Sequence, residues 1–305
     1  MTGARANGWR RIGYRVLPGE TFSYLLYLRP AEWPIMAGHT ALGWVLAVGW
    51  GGLLRGTALG PAALGLAIWV VCLNGGTLAF NSAFDKDEGD VGYLTAPPPP
   101  PRHLLAFSIA LLVLGQVLSW FLPVLFRVDY AVCLALSVLY SAPPARLKAV
   151  AGVDWLINMW GFGTLTPLAL WAATGRALDL PAALVLCGFC PLFAGLYPLT
   201  QLYQMDEDRR RGDRTLALAI GVRASMTVAL VCTAAAFGVF GWAAALGHRG
   251  LGLTLILPAV VWGIVLVPWW WGGAAWPPGR HQQGMYRALV AWALTDVAVL
   301  LVFAG

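Results

Sequence analysis

The stretch Asn81-Ser82-Ala83-Phe84-Asp85-Lys86-Asp87-Glu88-Gly89-Asp90 sets four carboxylates and an amide at the end of an apolar run from about Gly60 to Phe84. A second acidic cluster, Asp206-Glu207-Asp208 with Asp213, closes another apolar run. Eight of the 14 Asp and Glu of the chain lie in these two clusters. Oxygen ligands at that density on a greasy chain suggest a hard-cation site, for Mg²⁺. Asn81 and Asp85 are four apart, so on a helix they share a face, with Cβ atoms roughly 5–6 Å apart. Both can reach one ion. Gly89 breaks the helix, and the loop can turn Glu88 or Asp90 back toward the same ion. In the second cluster Gln201, Gln204 and Asp208 step by three and four and so line one face. Glu207 falls on another face, with Asp206 between.

Cations accompany these carboxylates. The run Tyr140-Ser141-Ala142-Pro143-Pro144-Ala145-Arg146-Leu147-Lys148 fixes Arg146 and Lys148 by prolines, where they can meet an anion bound between the acidic clusters. Asp154 and Asn158, again four apart, add to a polar site or bind neighbouring helices. His39 is a polar packing residue or a cavity residue. Asp296 is an intramembrane acid without an obvious partner.

The elements that must hold these groups are membrane helices. The chain of 305 residues is 59% hydrophobic and 11% charged, against about 25% charged for a soluble domain. Apolar runs of helix-spanning length recur along it. The pattern predicts an all-α polytopic bundle, a single domain over 1–305, with about nine transmembrane helices around a central cavity. The spans fall near 33–54, 60–84, 104–126, 129–145, 153–174, 180–203, 216–246, 251–271 and 286–304. Residues 1–28 are basic and aromatic and form a cytoplasmic tail.

With that tail inside, only Arg55, Arg127, Arg176 and Arg249 of the 20 Lys and Arg fall on the far side. This agrees with the positive-inside rule and puts both acidic clusters on the cytoplasmic side. The expected place is therefore a lipid bilayer, a bacterial cell membrane, with N-terminus and site cytoplasmic. The net charge of +6 is explained by topology, so no nucleic-acid partner is expected. Trp269-Trp270-Trp271 reads as an interfacial aromatic belt. Pro97 to Pro101 makes a stiff loop that holds the third span against the acidic loop. The five cysteines all lie in apolar runs and read as packing residues. No P-loop, no Gly-x-Gly-x-x-Gly after a strand and no His-rich or paired-Cys metal set is present.

Two acidic helix ends on one side, with Arg and Lys, suit a diphosphate. Mg²⁺ bridges carboxylate and phosphate oxygens and stabilises diphosphate as a leaving group. The membrane location implies that the diphosphate is attached to something oily.

At this point the chain resembles the UbiA superfamily of intramembrane prenyltransferases over essentially its whole length. The resemblance rests on the nine spans, Asn-x-x-x-Asp after the second, Tyr-Ser-x-Pro-Pro-x-Arg-Leu-Lys after the fourth, and an acidic motif with Gly212-Asp213-Arg214-Thr215-Leu216-Ala217 after the sixth. It implies a prenyl diphosphate substrate, Mg²⁺ as cofactor, ionisation to an allylic cation and a lipophilic, often aromatic, acceptor. By match, Asn81, Asp85 and Asp208 are catalytic metal-site residues, and Glu88, Asp90, Gln204 and Asp206 complete the metal set. Arg146 and Lys148, with Lys86 and Arg214, contact the diphosphate. The chain departs from the family pattern at Gly89 and Gln204, where Asp is usual; Asp206 is the expected substitute. Trp160, Phe162 and Tyr197 are the candidates for lining the apolar chamber, with His39, Asn158 and Gln201 around it.

Three other functions share parts of this pattern. A terpene cyclase of the same superfamily would use the same ionisation with no acceptor, the chain's own alkene attacking the cation. Some relatives move a sugar phosphate onto a lipid phosphate. A lipid transporter or scaffold would collect its polar residues at the midplane rather than at one face.

Overall fold

The computed structural model describes residues 8–17, 19–85, 92, 94–247 and 252–305. The expected cation and metal positions Lys86, Glu88 and Asp90 lie outside these. The described residues are nearly all helical, and an isolated β-bridge pairs Val150 with Arg214.

Two short helices, α1 (Gly8–Val16) and α2 (Thr21–Tyr27), precede the bundle. Its members are α3 (Trp33–Leu54), α4 (Leu59–Asp85), α5 (Leu104–Phe121), α6 (Val124–Ser141), α7 (153–173), α8 (Leu180–Leu202), α10 (Leu216–Leu246), α11 (Leu253–Ala275) and α12 (Pro278–Phe303). A short helix α9 (Met205–Arg211) sits between α8 and α10. Proline stands in the first helical positions of α3, α8 and α12, where its missing N–H costs nothing. Asp179 caps α8, accepting from Ala182 N at 2.8 Å.

Seven of these helices are long and apolar enough to cross a membrane. The first and fifth expected spans, α3 and α7, are helical over the expected residues but are not among the seven. The fourth span begins at Val124 rather than 129 and ends at Ser141. Arg127 does not demand a loop there: its guanidinium lies 4.1 Å from the Trp120 ring centroid and donates to Leu122 O at 3.5 Å. Pro143-Pro144 then stops the helix. Of the expected aromatic belt, Trp269 lies inside the bundle instead. Trp269 is fully buried and donates to His281 Nδ1 at 2.9 Å, Trp270 donates to Thr227, and Trp271 alone of the three is mostly exposed.

Close helix contact depends on small residues. A Cβ on Gly43 of α3 would come within 1.7 Å of Pro167 O in α7. Gly163 of α7 meets the backbone of Phe189 in α8 in the same way. Two stretches are π-helical, Ile68–Gly75 within α4 and Met159–Leu165 within α7. Such wide turns are rare and recur at functional sites.

Two cavities collect opposite sets of helix ends. One contains the start of α3 with the ends of α4 and α8. The other contains the end of α3, the start of α8 and the end of α12. α3 and α12 therefore run antiparallel to α4 and α8, and both acidic clusters lie at the same end of the bundle.

Candidate active site

Each acidic motif owes its position to a helix end. The last turn of α4 carries Asn81 and Asp85 on one face, as their spacing predicts. Across from it, α8 stops at Leu202, the chain turns at Tyr203 and Gln204, and α9 begins at Met205. The loop after α6 approaches from a third side. Its Arg146 has a left-handed backbone, φ 33°, and Arg29 before α3 has φ 50°. Left-handed non-glycine residues are strained, and strain collects at functional sites.

These elements enclose a cavity of about 360 Å³. Asp85 and Asp208 both line it, so the two motifs share one compartment. Lys148 Nζ donates to Asn81 Oδ1 at 2.6 Å and to Asp85 Oδ1. Ser141 Oγ also donates to Asn81 Oδ1, at 3.0 Å. Arg146 Nη2 lies 3.6 Å from Asp85 Oδ1 and 3.1 Å from Asp213 Oδ1. A single guanidinium thus joins the end of α4 to the loop after α9. Thr215 Oγ1 donates to Asp208 Oδ2 at 3.4 Å. Burial lowers the pKa of Lys148, and the Asp85 carboxylate opposes that shift. Glu32 also lines the cavity; burial raises its carboxyl to about 7, with Arg29 pulling the other way.

A second, smaller chamber of about 220 Å³ shares wall with the first at Met36, Leu78, Asn81, Tyr140, Asn158 and Phe162. The Tyr140 and Tyr197 hydroxyls meet at 2.9 Å beside this junction. Phe162 stacks on Phe193, with centroids 5.2 Å apart. Polar headgroup space and apolar space are therefore contiguous, separated by aromatic side chains.

The expected residues divide. Asn81, Asp85, Lys148, Asn158, Phe162, Tyr197, Gln201, Gln204 and Asp208 wall the larger cavity. Trp160 does not; it is 44% exposed, two residues from Phe162 on the far side of a π-helical turn. Asp206 pairs with Arg209 at 2.8 Å on the exposed surface, and Glu207 takes its place on the cavity wall. The cause is the break at Tyr203-Gln204. A helical wheel carried through from Gln201 keeps Asp208 on the wall but turns Glu207 away from it. Arg214 is exposed and outside the wall, its backbone bridged to Val150. His39 lines neither chamber. Its Nδ1 lies 3.2 Å from Asp296 Oδ1, and its Nε2 lies 3.3 Å from Gly163 O. This is the packing alternative, and it gives Asp296 the partner that the sequence does not reveal.

Asp154 is likewise a packing group. Fully buried, it accepts from Gly152 N at 2.9 Å, Gln201 Nε2 at 2.7 Å and Leu216 N at 3.3 Å. It ties the starts of α7 and α10 to the end of α8. Arg29 and Glu32 belong to the cavity and were not singled out from sequence; Glu207 and Asp213, named there only as members of the second acidic cluster, belong to it too. Their shared signal is position, since each is charged and adjoins a helix end at this end of the bundle.

Oxygen donors from Asn81, Asp85, Glu207, Asp208 and Asp213 surround one cavity, as a hard cation requires. Among the described residues no three acidic, His or Cys groups stand close enough to form a finished metal site. Lys148 and Arg146 occupy Asp85 instead. The donors have the right chemistry, with internal cations holding the carboxylates.

Residues 33–290 match the profile of the UbiA prenyltransferase family. The chain belongs to this family. With its apolar helices, this UbiA-family chain is an integral membrane protein. It is 28% identical to the lycopene elongase/hydratase of Haloarcula japonica, over 93% of this chain and 97% of the relative. Identity to the digeranylgeranylglyceryl phosphate synthase of Natronomonas pharaonis is also 28%, covering 90% of this chain and 96% of that one. The fold matches a UbiA homolog from Archaeoglobus fulgidus bound to GPP and Mg²⁺. The TM-score is 0.71 at 18% identity, covering 92% of this chain and 100% of that one.

Proposed function

We propose that this protein transfers an isoprenyl chain from a prenyl diphosphate to a lipophilic acceptor inside the membrane, in an Mg²⁺-dependent reaction. The observation that carries this reading is the cavity shared by Asp85 and Asp208 and joined to an apolar chamber. Residues 1–305 act as one domain, with the tail and the diphosphate cavity cytoplasmic. The solved relative with GPP and Mg²⁺ and the two prenyl-transfer relatives support the substrate class.

Asn81, Asp85, Asp208, Glu207 and Asp213 would hold the metal, which when bound neutralises diphosphate charge and makes it a better leaving group. The protein's own cations do the rest. Lys148 and Arg146 neutralise the carboxylates while the cavity is empty, and they turn to diphosphate oxygens when it arrives. Arg29 adds a third positive charge at the wall. After C–O cleavage the electron pair leaves with the diphosphate, and the allylic cation faces Phe162, Phe193 and Tyr197. Their ring faces attract positive charge, and the apolar chamber excludes water. The acceptor's electron pair then closes the new bond.

The test is purified protein with geranyl diphosphate and Mg²⁺, assayed for diphosphate release with and without a lipophilic acceptor. Acceptor-dependent release with a prenylated product is the expected result. A cyclic hydrocarbon or alcohol formed without acceptor would identify a cyclase instead. No diphosphate release under any condition would sink both readings.

A further inference from the structure

The first helix of the chain is held by little of the protein. α1 has 9 residues, and none of them is buried. A helix that short is marginal in water and normally depends on an apolar face packed against a partner. Its surroundings divide it into three stripes. One faces the protein. Tyr14 meets the Phe22 ring edge-on, with centroids 4.9 Å apart, and its hydroxyl lies 2.9 Å from Ser23 Oγ. On the same side Arg10 donates to Thr95 O at 2.6 Å and to Ala96 O at 2.9 Å. The second stripe is apolar and open. Trp9, Ile12 and Val16 step by three and four, share one face and are all exposed, although Trp9 also touches the edge of Phe22. The third stripe is basic. Arg11 and Arg15 are exposed and four apart, and among the described residues neither has an acidic partner.

Like charges four apart on a helix repel, and an apolar stripe left in water gains nothing from folding. Both costs are relieved where hydrocarbon and phosphate lie side by side, which is the boundary of a bilayer. α1 is placed to meet one. Tyr14 and Leu17 pack in the same apolar cluster as Leu104 and Phe107, at the start of the membrane helix α5. Leu105 and Ile109, on the first turns of α5, are exposed as Ile12 is. The helix sequence GWRRIGYRV holds three arginines and no acid, so its charge suits an anionic surface. We propose that α1 is a docking surface for anionic phospholipid headgroups. Trp9, Ile12 and Val16 enter the acyl boundary, and Arg11 and Arg15 hold phosphate. The tie from Arg10 to Thr95 and Ala96 fixes the rotation of the helix, so the two free stripes are presented together. This surface stands whatever reaction the cavity performs.

The experiment places the full chain, a single copy to each disc, in lipid nanodiscs of two compositions. One is phosphatidylcholine alone, and the other has about a third of it replaced by anionic phosphatidylglycerol. Amide hydrogen exchange is then followed over residues 8–17. In the anionic discs wild type should exchange there about thirtyfold more slowly, the worth of two arginines at a charged surface. High salt should remove most of that difference, because exposed charges are screened. Arg11→Gln with Arg15→Gln should exchange alike in both lipids, with the melting temperature of the bundle unchanged. Arg11→Lys with Arg15→Lys keeps the charge and should restore the lipid preference, which separates lost charge from a helix that no longer forms. Ile12→Ser with Val16→Ser should speed exchange in both lipids. Equal exchange of wild type in the two compositions would overturn the proposal, and so would a lipid preference that survives in the glutamine pair. Protection that appears only in discs holding two chains would also overturn it, assigning the face to a second copy.

Discussion

At one end of the bundle a cavity of about 360 Å³ is walled by Asp85, Asp208, Lys148 and Glu32. At the other end a cavity of about 710 Å³ is walled by Arg55, Arg176 and Asp179. The larger space has charges too, but they serve the scaffold. Arg176 donates to Ala47 O, and Asp179 caps α8. In the smaller space the charges face one another. Lys148 spans Asn81 and Asp85, and Arg146 spans Asp85 and Asp213. Convergence of ionisable groups, not volume, separates a site from a gap between helices.

The sharpest way to break this comparison is to remove one charge from each end. Asp85→Asn and Asp208→Asn should each lower diphosphate release by about a hundredfold or more, while Arg176→Gln should stay near wild type. Equal losses at both ends in a steady-state assay would erase the distinction. Lys148→Met comes next. It removes one half of a buried pair, so Asp85 is left uncompensated. The melting temperature should fall, in line with about 3–5 kcal/mol for such a break, and KM for geranyl diphosphate should rise. Unchanged melting and unchanged KM together would show that the lysine is idle. Chelation follows. EDTA should abolish diphosphate release, and added Mg²⁺ should restore it, with melting of the substrate-free protein hardly altered.

The pH dependence is smaller and has a definite sign. Burial raises the folded-state pKa of Glu32 from 4.5 to about 7. The folded protein therefore holds that proton more tightly than the unfolded chain. The resulting stability is complete below the unfolded value and is lost as pH rises through about 7. Melting temperature should decline over that window, and Glu32→Gln should flatten the decline. A decline that survives the substitution belongs to another group. The smallest effect is at the far end, where Asp179→Ala should cost about 1 kcal/mol of stability through the lost cap and leave turnover alone.

Much of this was legible in the sequence because it is local. Apolar run length gives the helices, and α4 and α8 fall within a residue or so of their expected bounds. The four-residue step from Asn81 to Asp85 gives their common face. What was not legible depends on breaks and distant partners. A continuous wheel through Gln201 to Asp208 ignores the turn at Tyr203-Gln204, so it puts Glu207 off the cavity wall, and the family pattern alone suggested Asp206 in its stead. His39 and Asp296 lie 257 positions apart, and no periodicity links them.

The wide turn at Ile68–Gly75 has a consequence for how such an enzyme changes over time. A π-turn takes up one residue more than an α-turn while the flanking helix keeps its phase. Deleting a single residue there would close the turn and reshape the smaller chamber that it lines. Asn81 and Asp85, farther along the same helix, would keep their orientation. The shape of the smaller chamber can thus drift by single-codon insertions and deletions while the polar pair at the helix end stays in register.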